Sequence, residues 1–152
     1  QLDREFRDAA IRGDVQTVES LLDARPSLVI GKDGQLMSIL HFVAQTAHTA
    51  MTELLIARGA DCQAQNQETT QPIHLAIAAQ IPVLLESGAD VNNADRNYQM
   101  PLHYQAIKGD PAAVKALLDA GADASIESMG GDTALGLAQK HNHREVAALL
   151  QL

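Results

Sequence analysis

Met100-Pro101-Leu102-His103-Tyr104-Gln105-Ala106-Ile107-Lys108-Gly109-Asp110-Pro111-Ala112-Ala113-Val114-Lys115-Ala116-Leu117-Leu118-Asp119-Ala120-Gly121-Ala122-Asp123 is the stretch that decides the fold. Pro101 suits a first helical turn, where its missing N–H is harmless. Leu102 and Ala106 lie four apart, on one face of a short helix. Gly109-Asp110-Pro111 breaks that helix. A second helix then carries Val114, Leu117 and Leu118 inward and ends at Gly121, which can take the left-handed conformation of a C-terminal cap. The stretch therefore reads helix, turn, helix, loop. Such a unit cannot hide its apolar face alone, so it needs neighbours.

The neighbours are in the chain. Gly121-Ala122-Asp123 repeats Gly88-Ala89-Asp90 and Gly59-Ala60-Asp61, each after a pair of leucines: Leu54-Leu55, Leu84-Leu85 and Leu117-Leu118. Leu102-His103 repeats Ile73-His74 and Leu40-His41. The histidines are spaced by 33 and then 29 residues, the Gly-Ala-Asp segments by 29 and then 33. One unit of about 33 residues has thus lost four, between His74 and Gly88. Degenerate copies stand at both ends, around Ala9-Ala10 with Leu21-Leu22 and around Thr133-Ala134-Leu135 with Leu149-Leu150. The expected fold is all-α: one domain over 1–152, a solenoid of helix-turn-helix units with protruding loops. Its units run about 1–33, 34–66, 67–96, 97–129 and 130–152, with the third shortened.

Gln71-Pro72-Ile73-His74, Met100-Pro101-Leu102-His103 and Ser38-Ile39-Leu40-His41 resemble the Thr-Pro-Leu-His opening of ankyrin repeats, and the likeness covers essentially the whole chain. The resemblance implies L-shaped units of two antiparallel helices and a loop, with a concave face made by first helices and loop tips. It implies protein–protein recognition without catalysis. A structural adaptor, or a domain that docks within a larger parent, is the alternative, and a small enzyme or ligand-regulated module is a third reading. Fold alone does not name a partner.

Departures from the family pattern carry their own expectations. In the third unit Ala78-Ala79-Gln80-Ile81-Pro82 replaces the usual turn, so both helices should be short, with Pro82 near the start of the second. Ser38 can cap its helix, whereas Gln71 and Met100 are poor caps and should lose a local hydrogen bond. Gln105 stands where the family places a small buried alanine, and needs polar partners if it is buried.

Composition narrows the function. The 152 residues carry a net charge of −8, a poor basis for binding nucleic acid or an anionic membrane. Cys62 is the only cysteine, which excludes an internal disulfide. No run of 18 apolar residues suggests membrane insertion. The chain opens on Gln1, which reads as a processed or trimmed terminus, and the single cysteine fits a reducing cytosolic or other intracellular compartment. With two Phe, two Tyr and no Trp, the interior must be built from Leu, Ala, Val and Ile, as closely packed short helices allow.

No residue pattern argues for catalysis, a metal or a cofactor. His41, His74 and His103 recur once per unit and should tie adjacent loops, because metal binding needs converging ligands. His141 and His143 read as a solvated turn, and Cys62 as a structural or surface thiol. Asp61, Asp90 and Asp123 read as loop organisers. Asp33-Gly34 and Gly130-Gly131 are turns, with no phosphate-binding Lys-Ser or Lys-Thr after them.

By repeat phase, the groove side of the first helices should present Phe42, Gln45 and Thr46, then Leu75, Ala78 and Ala79, then Tyr104, Ile107 and Lys108. Loop tips add Gln35, Met37, Glu68, Thr70, Arg96, Tyr98 and Met100. Tyr98 and Tyr104 are the only tyrosines, and aromatics are favoured at interface centres. Arg96 has a fork suited to a carboxylate. From Gly59 through Asp95 there is no Lys or Arg, while Asp61, Glu68, Glu86, Asp90 and Asp95 give a local charge of −5. A basic protein or peptide partner fits that edge. The isolated chain is expected to be monomeric.

Overall fold

A computed structural model describes residues 1–151. The helices are α1 Arg4–Arg12, α2 Val15–Ala24, α3 Ile39–Val43, α4 Thr49–Ala57, α5 Pro72–Leu75, α6 Ile81–Glu86, α7 Pro101–Lys108, α8 Pro111–Asp119, α9 Ala134–Lys140 and α10 Arg144–Leu150, with a 3-10 turn at Pro26–Ile30 after α2. Among the described residues there is no strand, only an isolated antiparallel bridge between Lys32 and Ser38.

Local chemistry starts each helix. The carboxylates of Asp3, Asp14 and Asp110 accept backbone N–H bonds from the first turns of α1, α2 and α8, and the Thr133 hydroxyl does the same for α9. Pro72, Pro101 and Pro111 occupy first-turn positions.

Odd-numbered helices pack in sequence, α1 on α3, α3 on α5, α5 on α7 and α7 on α9, while α4, α6, α8 and α10 form a second row. Each odd helix also packs on the even helix that follows it. The core runs the length of this all-α solenoid. Ala9, Ala10, Ala44, Ala76, Ala106 and Ala138 are wholly buried in it, so small side chains let the helices approach where aromatics are scarce.

The turn after the first helix explains one irregularity. Gly13, Gly109 and Asn142 take left-handed φ values of 78°, 81° and 60° there. The second unit has Ala47 instead, which does not adopt positive φ, and α3 stops early, at Val43.

The third unit is short in both helices, four residues in α5 and six in α6, with Pro82 in the first turn of α6. Two buried glutamines replace the missing backbone. The chain turns extended at Ala76, and the Gln80 N–H donates to Ile77 O, so it does not serve Ala76. Gln105 Nε2 donates to Ala76 O instead, at 2.9 Å. Gln80 Nε2 reaches back to Thr46 O at 2.9 Å and Val43 O at 3.3 Å, at the end of short α3. The polar partner that Gln105 needs is thus a carbonyl exposed by the deletion.

Candidate protein-binding surface

The repeated histidines build the frame of this surface. Backbone N–H groups of Ser38, Gln71 and Met100 donate to Nδ1 of His41, His74 and His103 at 3.0, 3.1 and 3.0 Å. Gln71 and Met100 make no side-chain cap bond, as expected, but the imidazole three residues on accepts from their own backbone N–H groups. Because Nδ1 accepts, the proton sits on Nε2. Nε2 then donates to the next loop, from His41 to Thr70 O at 2.7 Å, His74 to Gln99 O at 3.2 Å and His103 to Asp132 O at 3.0 Å. Burial holds the His41 and His74 pKa values below the ordinary range, and these rings stay neutral.

Each loop tip is organised by one polar side chain. Asp33, Asn66 and Asp95 accept N–H bonds from the residues two and four positions on, and Ser128 Oγ accepts from Asp132 N. Leu36, Thr69, Tyr98 and Gly131 then take left-handed backbone conformations. Leu36, Tyr98 and Met129 are exposed, so apolar side chains crown the tips of the second, fourth and fifth units. Asp61, Asp90 and Asp123 organise the other loops, each accepting from the N–H two residues on at 2.9 Å.

The expected surface residues separate by burial. Gln35, Glu68, Arg96, Tyr98, Gln45, Ile107 and Lys108 are exposed, and Met37, Phe42, Thr46, Leu75 and Tyr104 are half-buried. Gln35, Met37 and Glu68 line one open pocket of about 270 Å³ with Asn66 and Gln67. Thr70 and Met100 are only 3% and 4% exposed, which corrects their assignment to the rim. Both precede a helix at the point where the chain turns into the core. Arg7 of α1 lies over the Phe42 ring, 5.7 Å from its centroid.

Tyr104 ties two units together. Its hydroxyl donates to Asp95 Oδ2 at 2.5 Å and lies 2.9 Å from Thr70 Oγ1, whose proton it can accept. The ring meets His74 edge-on at 4.9 Å. Burial, reinforced by the Asp95 carboxylate, pushes the Tyr104 pKa up to about 12. Asp95, read from sequence only as one of the edge charges, is 5% exposed and braces this network. A signal for its role was present: Asp33, Asn66, Asp95 and Ser128 recur at spacings of 33, 29 and 33, in step with the histidines.

Charge on the tips is asymmetric. Arg96 pairs with Glu68 of the neighbouring tip at 2.5 Å, not with Asp95 or Asp90. Cys62 is buried with its thiol directed at Ser87 O, and burial raises its pKa, which makes it a poor nucleophile. Among the described residues no group of three His, Cys, Asp or Glu side chains is arranged to hold a metal, and no helix is long and apolar enough to cross a membrane.

Stacked helix pairs, a bridging histidine at each of the last three of four junctions and protruding loop tips define a helical repeat protein. The family profile for ankyrin repeats (3 copies) matches residues 6–95 and 78–151, and the chain belongs to that family. It is 29% identical over 143 residues to a transient receptor potential cation channel subfamily A member 1 homolog of Caenorhabditis elegans, covering 91% of this chain and 12% of that protein. It is 32% identical over 128 residues to the nuclear factor NF-kappa-B p105 subunit of Gallus gallus, covering 79% of this chain and 13% of the relative. Inversin of Canis lupus familiaris is 28% identical over 116 residues, 72% of this chain and 10% of that protein. Ankyrin repeats in general are protein–protein interaction modules and generally non-catalytic.

Proposed function

We propose that this chain recognises another protein without covalent chemistry, through the groove side of its first helices and the adjoining loop tips. One observation carries the reading. Phe42, Leu75, Tyr104 and Ile107 remain partly open to solvent on successive first helices, beside tips that expose Leu36 and Tyr98. Solvent-facing apolar side chains at the centre of a polar rim are what an interface uses. Gln35, Met37, Gln45, Thr46, Glu68, Arg96 and Lys108 supply the polar and adaptable surround.

The partner is a basic segment. Carboxylates dominate residues 59–95, where no Lys or Arg interrupts them, so a cationic peptide gains in approach rate and in orientation. The isolated chain acts as a monomer in this reading. Docking within a longer parent is a second reading, favoured by the small fraction of each relative that the chain spans.

A displayed random-peptide library selected on the purified chain tests the proposal. Peptides should be rich in Lys or Arg. Phe42→Ala or Ile107→Ala should weaken them by about 1–2 kcal/mol, roughly 5- to 30-fold in Kd. Lys115→Ala on the exposed side of α8 should leave Kd unchanged. Peptides insensitive to Phe42 and Ile107 but lost with Lys115→Ala would place recognition on the opposite face.

A further inference from the structure

Adjacent loop tips are joined by backbone hydrogen bonds in one repeating register. Gln67 N donates to Gln35 O, and Met129 N donates to Asn97 O, each at 2.9 Å. In that register the tips of the third and fourth units would be joined by Arg96 N and Glu68 O. Among the described residues that bond is not made. The side chains meet instead: Arg96 Nη2 sits 2.5 Å from Glu68 Oε2, with the two side chains 55% and 51% exposed. The contact is therefore a solvent-facing ion pair at the one tip junction without its backbone bond.

We infer that Arg96 is a tethered occupant of Glu68, and that a cationic side chain of a partner peptide displaces it. This inference rests on the groove reading above and adds a competing contact within the chain. Three observations support the exchange. A half-exposed pair is weak and opens readily. A partner guanidinium can make the same charge-assisted bonds to Glu68 that Arg96 makes. The charge of the chain selects the sign of the ligand: its net charge is −8, and in sequence Arg96 is the first cation after Arg58, with Asp61, Glu68, Glu86, Asp90 and Asp95 between them. An anionic ligand approaching Arg96 meets that field, whereas a cation is drawn to Glu68. Once Arg96 is released, its guanidinium is free to swing away from the incoming charge, because the loop tip exposes it.

Fluorescence anisotropy with a labelled synthetic peptide of alternating Arg and Leu tests the exchange, with a Glu-for-Arg analogue as the control. Arg96→Gln should tighten the cationic peptide about two- to fivefold, the release of one exposed ion pair. Glu68→Gln should weaken it, and Arg96→Gln should give no tightening in the Glu68→Gln background. Arg144→Gln changes net charge by the same amount on α10 and should leave affinity unchanged. Equal tightening by Arg96→Gln and Arg144→Gln overturns the exchange, because only the overall charge is then acting. So does additivity of Arg96→Gln with Glu68→Gln. Phe42→Ala separates the two proposals: binding unaffected by it defeats the groove reading, whereas binding lost with it and indifferent to Arg96→Gln defeats the exchange alone. No binding of the cationic peptide to the Arg96→Gln variant defeats both.

Discussion

Replacing Gln105 with alanine would restore the small residue typical of ankyrin repeats, yet the structure predicts that it destabilises this chain. Gln105 is 1% exposed, and its Nε2 donates to Ala76 O at 2.9 Å. Ala76 O belongs to the junction where α5 has already ended, and Gln80 N is committed to Ile77 O. The substitution leaves that carbonyl unpaired in the core, at about 1–3 kcal/mol. Loss of roughly one buried methylene adds about 0.8 kcal/mol before any cavity cost. Against this, Gln105 Oε1 is itself buried without a partner, and removing it returns about 1 kcal/mol. The net expectation is a destabilisation of about 2 kcal/mol, or roughly 5 °C in Tm for a chain of this size. Urea unfolding followed by circular dichroism measures it, with an unchanged m value confirming that the same surface unfolds. Gln105→Met separates the contributions, because it keeps the volume and lacks the donor. It should remain less stable than the native chain by about 1 kcal/mol. A Gln105→Ala chain as stable as the native one, or more stable, would refute the idea that this side chain substitutes for missing helix.

Other tests follow from the same structure. His41 and His74 are held neutral by burial, with folded pKa values below the ordinary 6.5. Below pH 6.5 the unfolded chain takes up protons that the native chain refuses, so stability falls as pH drops from there through the folded pKa values, by up to about 1.4 kcal/mol per pH unit per ring. Urea midpoints should decline over that window, and NMR should show both native rings still neutral at pH 6.5; rings already half protonated there in the native state would contradict the burial argument. In a Tyr98→Phe chain, Tyr104 is the sole tyrosine, and its phenolate absorbance should appear with a midpoint of about 12, not the ordinary 10. Stability from that phenol is complete below pH 10 and is lost as pH rises through about 12. Gly109→Ala and Gly88→Ala both place a side chain at positive φ, 81° and 106°, at about 1–2 kcal/mol. A Cβ at Gly109 also collides with the His143 ring, whose Nε2 bonds Ile107 O, whereas a Cβ at Gly88 meets open space. Gly109→Ala should therefore be the more damaging in thermal melts, and the reverse order would contradict the packing.

The surface was legible to different depths. Tyr98, Glu68 and Arg96 could be placed on loop tips from repeat phase alone, and they are exposed there. Thr70 and Met100 could not be told from rim residues, because the chain enters the core within one or two positions of the tip. Asp95 carried a visible periodicity, but periodicity does not reveal that a carboxylate lies buried beneath a tyrosine hydroxyl.

Repeat spacing by itself determined the architecture of this protein: the recurring Leu-His and Gly-Ala-Asp segments encode local helix, turn and cap, and short apolar faces at a constant period can be buried only against their neighbours. The same arithmetic located the lost four residues between His74 and Gly88. What repaired that loss was decided only in three dimensions. Gln80 and Gln105 reach carbonyls 34 and 29 residues away in the chain, and Arg96 meets Glu68 across a tip junction. Hydrogen-bond partners so distant in sequence are chosen by which carbonyls the folded stack leaves unpaired, and no local pattern records that.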